Sequence, residues 1–161
     1  MSFTLRKANR TDCREMYRLV NELALYERAP EEVTVTLEEF TEDGFGADPR
    51  FEAIVAEDSS GIIGLALYFN RYSTWKGRCM YLEDLIVTEP ARGRGIGKAL
   101  LTEVIGIAKQ AGARRLEWQV LDWNEPSIAF YKSLGAELDN TWINCRMTAE
   151  KLASFRIPAM D

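Results

Sequence analysis

The succession of hydrophobic patterns along this chain predicts an α/β fold, with a central mixed β-sheet flanked by helices on both faces. Three observations lead there. Residues 51–56 and 62–72 read as strands joined by the turn-forming Glu57-Asp-Ser-Ser-Gly61, an antiparallel hairpin. A buried strand at 80–87 is followed by a helix at 95–111 and a further strand at 115–121, the alternation of a crossover unit. Two helical patterns precede the hairpin, so the full order, β-α-α-β-β-β-α-β-α-β, mixes hairpins with crossovers.

Each element has a local reason. Residues 4–8 are a first strand. Asp12 with Glu15 three positions later makes a capping-box-like helix start, after which Met16, Leu19, Val20, Leu23 and Ala24 form one apolar face that stops before Pro30. Residues 37–45 are a short helix ending in the Asp43-Gly-Phe-Gly46 turn. Glu89-Pro90 ends the 80–87 strand, because proline removes a ladder donor and fixes φ. Ile96, Leu100, Val104, Ile107 and Ala111 give the next helix its stripe, with Gly112 as its stop. Asn124-Glu-Pro-Ser opens another helix with proline near its start, and Gly135 closes it. Residues 142–148 are the expected last strand.

At 161 residues the chain is read as one domain, 1–161. Hydrophobic residues at 47% and charged residues at 28% match a soluble globular protein, and no apolar run reaches the roughly 20 residues of a membrane span. The start of the chain lacks a signal-peptide apolar region, which points to the cytoplasm. Cys13, Cys79 and Cys145 are widely spaced, so no disulfide framework or zinc site is expected and each is read as a small core residue. There is no histidine, which excludes histidine-based dyads and triads; no metal is expected. The net charge of −5 argues against nucleic acid as partner and suits a cationic substrate.

The segment from Tyr81 to Leu101 carries the chemistry. Gly93, Gly95 and Gly97 fall where a helix has unpaired N–H groups, so backbone amides can approach an anion, while the helix dipole and Arg92, Arg94 and Lys98 add positive charge. The ligand this predicts is phosphorylated. A Walker loop does not fit, because its first glycine would fall on Arg92 and its Ser/Thr on Ala99. Nor does a dinucleotide fingerprint, whose third glycine would fall on Lys98. The pattern present is Arg92-x-x-Gly95-x-Gly97. A second motif follows in Asn124-Glu-Pro-Ser-Ile-Ala-Phe-Tyr-Lys-Ser-Leu-Gly135. Ile128, Phe130, Tyr131 and Leu134 lie at helical spacing there, but Tyr131 points about 100° away from Phe130 and is free to face a crevice.

Together these two motifs resemble the pyrophosphate loop and the second signature of the GNAT N-acetyltransferases. Further stretches extend the likeness over nearly the whole chain. Glu22-Leu-Ala-Leu-Tyr-Glu27, Tyr72-Ser-Thr-Trp-Lys-Gly77, Tyr81-Leu-Glu-Asp84 and Leu121-Asp-Trp-Asn-Glu-Pro-Ser127 look like the diamine acetyltransferase subfamily. The resemblance implies the GNAT fold, acetyl-CoA as co-substrate, a small primary amine as acceptor and a homodimer. Leu85, Ile86 and Val87 would hold the pantetheine arm through backbone bonds. Arg92, Gly93, Arg94, Gly95, Ile96, Gly97 and Lys98 would hold the pyrophosphate, and Asn124, Pro126 and Ser127 would border the cofactor. Tyr131 would sit near its sulfur. Tyr26, Glu27, Trp75, Glu83 and Asp84 match positions around the amine. Ser73 stands where spermidine enzymes of the subfamily carry an aspartate, which resembles the thialysine branch instead.

Acetyl transfer to an amine requires the two reactants to be held together, the amine to lose a proton and the thiolate to gain one. A lysine-like amine with a pKa of about 10.4 is roughly one part in a thousand free base near pH 7. Glu83 is the expected proton acceptor, since neighbours on a strand face opposite sides and Asp84 would point away from the same pocket. Tyr131, with an ordinary pKa near 10, is the expected acid for the thiolate. No cysteine lies in either motif, so direct attack in a ternary complex is expected rather than an acetyl-enzyme. Alongside a thialysine-like acceptor, three alternatives stand: a polyamine N1-acetyltransferase, a non-catalytic CoA-binding module and a dinucleotide-binding protein.

Overall fold

Ala53-Ile-Val-Ala56 and Ile62-Ile-Gly-Leu-Ala-Leu-Tyr68 suit a buried, pleated surface, and they form the centre of the sheet in this computed structural model, which describes residues 2–158. Strands β2 (Glu52–Asp58) and β3 (Gly61–Ser73) make the expected hairpin. Its turn is tied by the Ser60 amide and hydroxyl, which donate to Asp58 Oδ1 at 2.9 and 2.6 Å. β1 (Thr4–Lys7) lies antiparallel to β2, and β4 (Gly77–Val87) antiparallel to β3. β5 (Leu116–Glu117) pairs with β4 in parallel after a crossover through α3 (Ile96–Gln110). The result is a mixed five-stranded sheet in the order β1-β2-β3-β4-β5.

Helices cover both faces. Met16 and Leu19 of α1 (Cys13–Tyr26) and Phe40 of α2 (Leu37–Phe45) pack with Ala53, Val55, Leu65, Leu67 and Ile86. On the opposite face α3 comes so close that a Cβ on Gly64 would stand 3.0 Å from Leu100 Cδ1 and 3.2 Å from Ile96 Cγ2. Met16, Leu19, Leu65 and Leu100 are fully inaccessible, and burial of each contributes roughly 1.5–3 kcal/mol. The expected turn at 43–46 is the last turn of α2, where Gly44 leaves room for the Phe51 ring; a Cβ there would meet Phe51 Cζ at 2.5 Å.

Contacts divide the chain into two units, with the boundary after Leu121. The second contains α4 (Glu125–Ser133) and α5 (Ala149–Ser154).

Four sequence expectations are corrected. Asp12 does not cap α1. Its carboxylate is held bidentately by Arg6 at 2.7 and 2.9 Å, and the capping box belongs to Asn9 and Asp12 on the preceding 3-10 turn. The charge-assisted pair outcompetes the local cap, and it holds the Asp12 carboxyl below its ordinary range. The strand expected over 115–121 pairs only at Leu116 and Glu117, opposite Met80 and Tyr81. Pairing is lost where β4 bulges at Glu83, because a bulge bends its strand away from the neighbouring edge. Residues 142–148 form no strand, and Trp142, Ile143 and Met147 stay exposed, so the apolar alternation there is not matched by burial. Instead Thr148 accepts from the Lys151 amide and starts α5, which the apolar alternation concealed. Cys13 and Cys79 are buried as expected, whereas Cys145 is exposed.

Candidate active site

The bulge decides the geometry of the first unit's candidate residues. β3 pairs Leu67 with Asp84 and Tyr68 with Leu82, leaving Glu83 as the extra residue. Strict alternation therefore fails between Leu82 and Asp84. Asp84 shares the face of Leu67, the α1 side of the sheet, while Glu83 is exposed. Burial first, then the charges of Glu83 and Glu27, push the Asp84 carboxyl up to about 7. Glu27, just past the end of α1, is itself raised by burial. Tyr26 beside it is 38% exposed. The structure thus brings Glu27, Glu83 and Asp84 into one electrostatic group, and none of the three makes an ion pair among the described residues.

Beyond Tyr81 the outer edge of β4 has no strand partner among the described residues. Leu85, Ile86 and Val87 lie on that stretch. Ile86 is anchored in the core at 4% exposure, so what this edge offers a ligand is its backbone. The edge runs directly into the glycine loop. Gly93 and Gly95 have φ of +79° and +80°, left-handed conformations that a side chain would strain. Gly95 is the N-cap of α3 and provides no side-chain cap, so the first-turn amides are left to a ligand or solvent. Gly97 is helical, and a Cβ there would make only an ordinary 3.7 Å contact with Val87. The Ile96 side chain is 1% exposed and belongs to the core, which leaves only its amide for binding. Lys98 is exposed.

The two arginines are held differently. Arg92 donates through Nε to the Val87 carbonyl at 3.0 Å, and its guanidinium lies over the Tyr26 ring, 5.1 Å from the centroid. Arg94 donates to Asp58 at 2.9 Å. The Ser60 donors and Arg94 hold that aspartate down at about 2. Nothing in the turn sequence Asp58-Ser-Ser-Gly61 announces this contact, 36 residues distant.

Trp75 is not brought to the acidic group. It is 78% exposed in the β3–β4 turn, beyond Ser73, the end of β3, which itself lies six residues from Leu67, roughly 20 Å at strand rise. Ser73 caps that turn, its Oγ accepting from the Trp75 and Lys76 amides at 3.2 Å each.

In the second unit, Asn124 is the N-cap of α4, its side chain accepting from the Ser127 amide at 3.4 Å, and Pro126 sits in the first turn. Tyr131 is half-buried, with its ring 5.3 Å from that of Phe130. Its carbonyl accepts from Leu134 and Ala136 at 3.1 Å each, closing the helix before Gly135, whose φ is +86°.

Comparison with known proteins adds to this geometry. The model of the acetyltransferase (GNAT) family matches residues 13–136. Thialysine N-epsilon-acetyltransferase from Bos taurus is 40% identical over 146 residues, covering 85% of this chain and 86% of that protein. Spermidine/spermine N(1)-acetyltransferase-like protein 1 from Homo sapiens is 34% identical over 160 residues, covering 93% of this chain and 23% of that protein. Among solved structures, an aminoglycoside N-acetyltransferase in complex with CoA has a TM-score of 0.74 at 20% identity, covering 91% of this chain and 95% of that one; this likeness concerns the fold.

Proposed function

The chain belongs to the GNAT acetyltransferase family, and we propose that it transfers the acetyl group of acetyl-CoA to the primary amine of a lysine-like amino acid, thialysine first. The observation that carries this reading is the unpaired β4 edge, which leads into two left-handed glycines and an uncapped helix start. Such an edge suits the amide groups of a pantetheine arm, and the helix start suits a pyrophosphate. Arg92 and Lys98 supply charge, and Arg94 does so from its pairing with Asp58.

The acidic group of Glu27, Glu83 and Asp84 suits a cationic amine. In the proposed reaction the ammonium gives a proton to Glu83, directly or through water. The freed nitrogen then attacks the acetyl carbonyl, the C–S bond breaks, and the CoA thiolate takes a proton from Tyr131; the second proton of the attacking nitrogen passes through water to restore the tyrosine, and Glu83 returns its own to solvent. Asp84 ionises with a pKa of about 7, so its negative charge toward the amine grows through neutral pH. Asn124, Pro126 and Ser127 border the cofactor in this reading. Trp75 enters it only by resemblance, since the described chain holds it far along the hairpin. Direct attack predicts intersecting initial-velocity patterns and no acetylated enzyme by mass spectrometry.

The 34% identity to the spermidine/spermine-like protein supports a second reading, a polyamine acceptor. A panel of thialysine, lysine, spermidine, putrescine and ornithine, assayed for CoA-thiol release, separates the two. The highest kcat/KM is expected for thialysine; a higher value for spermidine or putrescine selects the polyamine reading, and acetyl-CoA binding without turnover selects a regulatory module. Tyr131→Phe should lower kcat by about 10²-fold while sparing acetyl-CoA affinity, and unchanged turnover with chemistry rate-limiting would remove the acid role. We take the chain as one catalytic domain, because the family match runs through the boundary after Leu121. We also infer a homodimer, by resemblance, and a cytoplasmic setting, which the free thiols Cys13, Cys79 and Cys145 favour. No described helix is long and apolar enough to cross a membrane.

A further inference from the structure

One carboxylate at the start of the glycine loop has no part in the chemistry above. Glu22, on α1, lies 3.1 and 2.9 Å from the Thr88 hydroxyl through its two oxygens, and Oε1 accepts from the Glu89 amide at 2.9 Å. Oε2 also accepts from Arg18 at 3.1 Å, and Arg18 reaches on to the Ile62 carbonyl at 3.1 Å. The contacts with Thr88 and Glu89 span 66 and 67 residues of sequence.

Thr88 is the N-cap of the 3-10 turn Glu89–Ala91, yet its own side chain makes no capping bond. Its hydroxyl donates to Glu22 instead, and Glu22 supplies the missing acceptor for the turn's first amide. That turn aims the loop. Ala91 N–H bonds Thr88 O at 2.9 Å and Arg92 N–H bonds Glu89 O at 3.2 Å. Arg92 then folds back onto the Val87 carbonyl and over Tyr26. Tyr26 is four residues after Glu22 and so lies on the same helix face, which means α1 meets the loop at two successive points.

We propose that Glu22 is a positioning residue for the cofactor: from α1 it caps the Thr88–Arg92 turn and fixes the anion-binding loop before the ligand arrives. This rests on the reading that the loop holds the CoA pyrophosphate. A carboxylate beside an anion site would ordinarily repel the ligand. Here its charge is engaged by Arg18, a hydroxyl and an amide, so what remains is restraint, and a loop already ordered loses less freedom on binding.

Calorimetric titration of CoA into the purified protein and its variants tests this. Glu22→Ala should weaken CoA binding by about ten-fold and Thr88→Val by about three-fold. The double variant should be no weaker than Glu22→Ala, since both remove the same contact. Glu22→Gln keeps an acceptor for the Glu89 amide and should recover part of the loss. In turnover, the effect should fall on KM for acetyl-CoA, with kcat changed by less than about two-fold. Affinity within two-fold of wild type in Glu22→Ala, losses that simply add, or a loss confined to kcat would each overturn the proposal. Should Glu22→Ala fail to fold, unchanged CoA affinity in both Thr88→Val and Glu22→Gln would overturn it as well. Gly95→Glu serves as the control for the cofactor reading. If it leaves CoA binding intact, the loop is not the cofactor site. If it abolishes binding while the Glu22 and Thr88 variants leave CoA affinity unchanged, only the positioning role is lost.

Discussion

Two stretches of β4 handle charge in opposite ways. Where the strand ends, the charged groups described are matched: Glu22 to Thr88, Glu89 and Arg18, Arg94 to Asp58, and Arg92 to the Tyr26 ring. At the bulge, Glu83 and Asp84 share their field with Glu27 and make no ion pair among the described residues. The matched corner leaves backbone amides and the exposed Lys98 open. At the bulge, burial and the neighbouring charges disfavour the ionised Asp84, and in the proposed reading a cationic amine would offset that. One region is matched within the chain, the other is left to be completed.

The contrast can be tested from its strongest consequence downward. Gly95→Glu places a side chain at φ +80° and a carboxylate at the uncapped start of α3. Acetyl-CoA affinity measured by calorimetry should fall by about 100-fold or more, from strain and like charge together. An unchanged affinity in a folded variant would detach the matched corner from the cofactor.

Asp84→Asn probes the acidic region. Because the folded carboxyl, at about 7, stands above its ordinary 3.8, the folded state holds this proton more tightly than the unfolded chain. Its favourable contribution is full below the unfolded value and is lost as pH rises toward 7. The asparagine variant should therefore melt higher than wild type at pH 8, by several degrees, with a smaller gain at pH 5. A gain that does not grow with pH would show that Asp84 is not strained. The same variant should raise KM for the amine by about ten-fold.

Wild-type kcat/KM for the amine should also bend near pH 7, and the bend should vanish in Asp84→Asn. The chain has no histidine to supply an ordinary titration there, so a bend that survives would belong to another group. The smallest effect is expected from Ser73→Asp. Aspartate can still accept from the Trp75 and Lys76 amides, so the turn should hold. An exposed charge contact is worth about 0.2–1 kcal/mol, so the spermidine-to-thialysine ratio of kcat/KM should rise a few-fold at low salt and shrink with ionic strength. A flat ratio would show that this hairpin end does not read the amine.

The sheet, its mixed character and the loop-to-helix corner were legible because they rest on local signals: alternation, turn residues and glycines beside a helix start. Over 115–121 and 142–148 the apolar alternation predicts more strand than forms, since alternation specifies which face a side chain takes but not whether a ladder partner is present. The bulge at Glu83 leaves no composition signal, for it depends on the register with β3. Glu22 and Asp58 were missed as parts of the corner for a related reason. Each acts on residues 36 or more positions away, and in sequence each looks like an ordinary surface carboxylate.

The placement of the three thiols has a practical consequence. Cys13 and Cys79 are sealed inside the first unit, and burial pushes the Cys13 thiol up, away from its reactive form. Cys145 is exposed in the second unit. A thiol-reactive fluorophore at neutral pH therefore has a single address in the unaltered protein, on the unit that carries Tyr131. Its depolarisation on adding acetyl-CoA would report on that unit without any substitution being made.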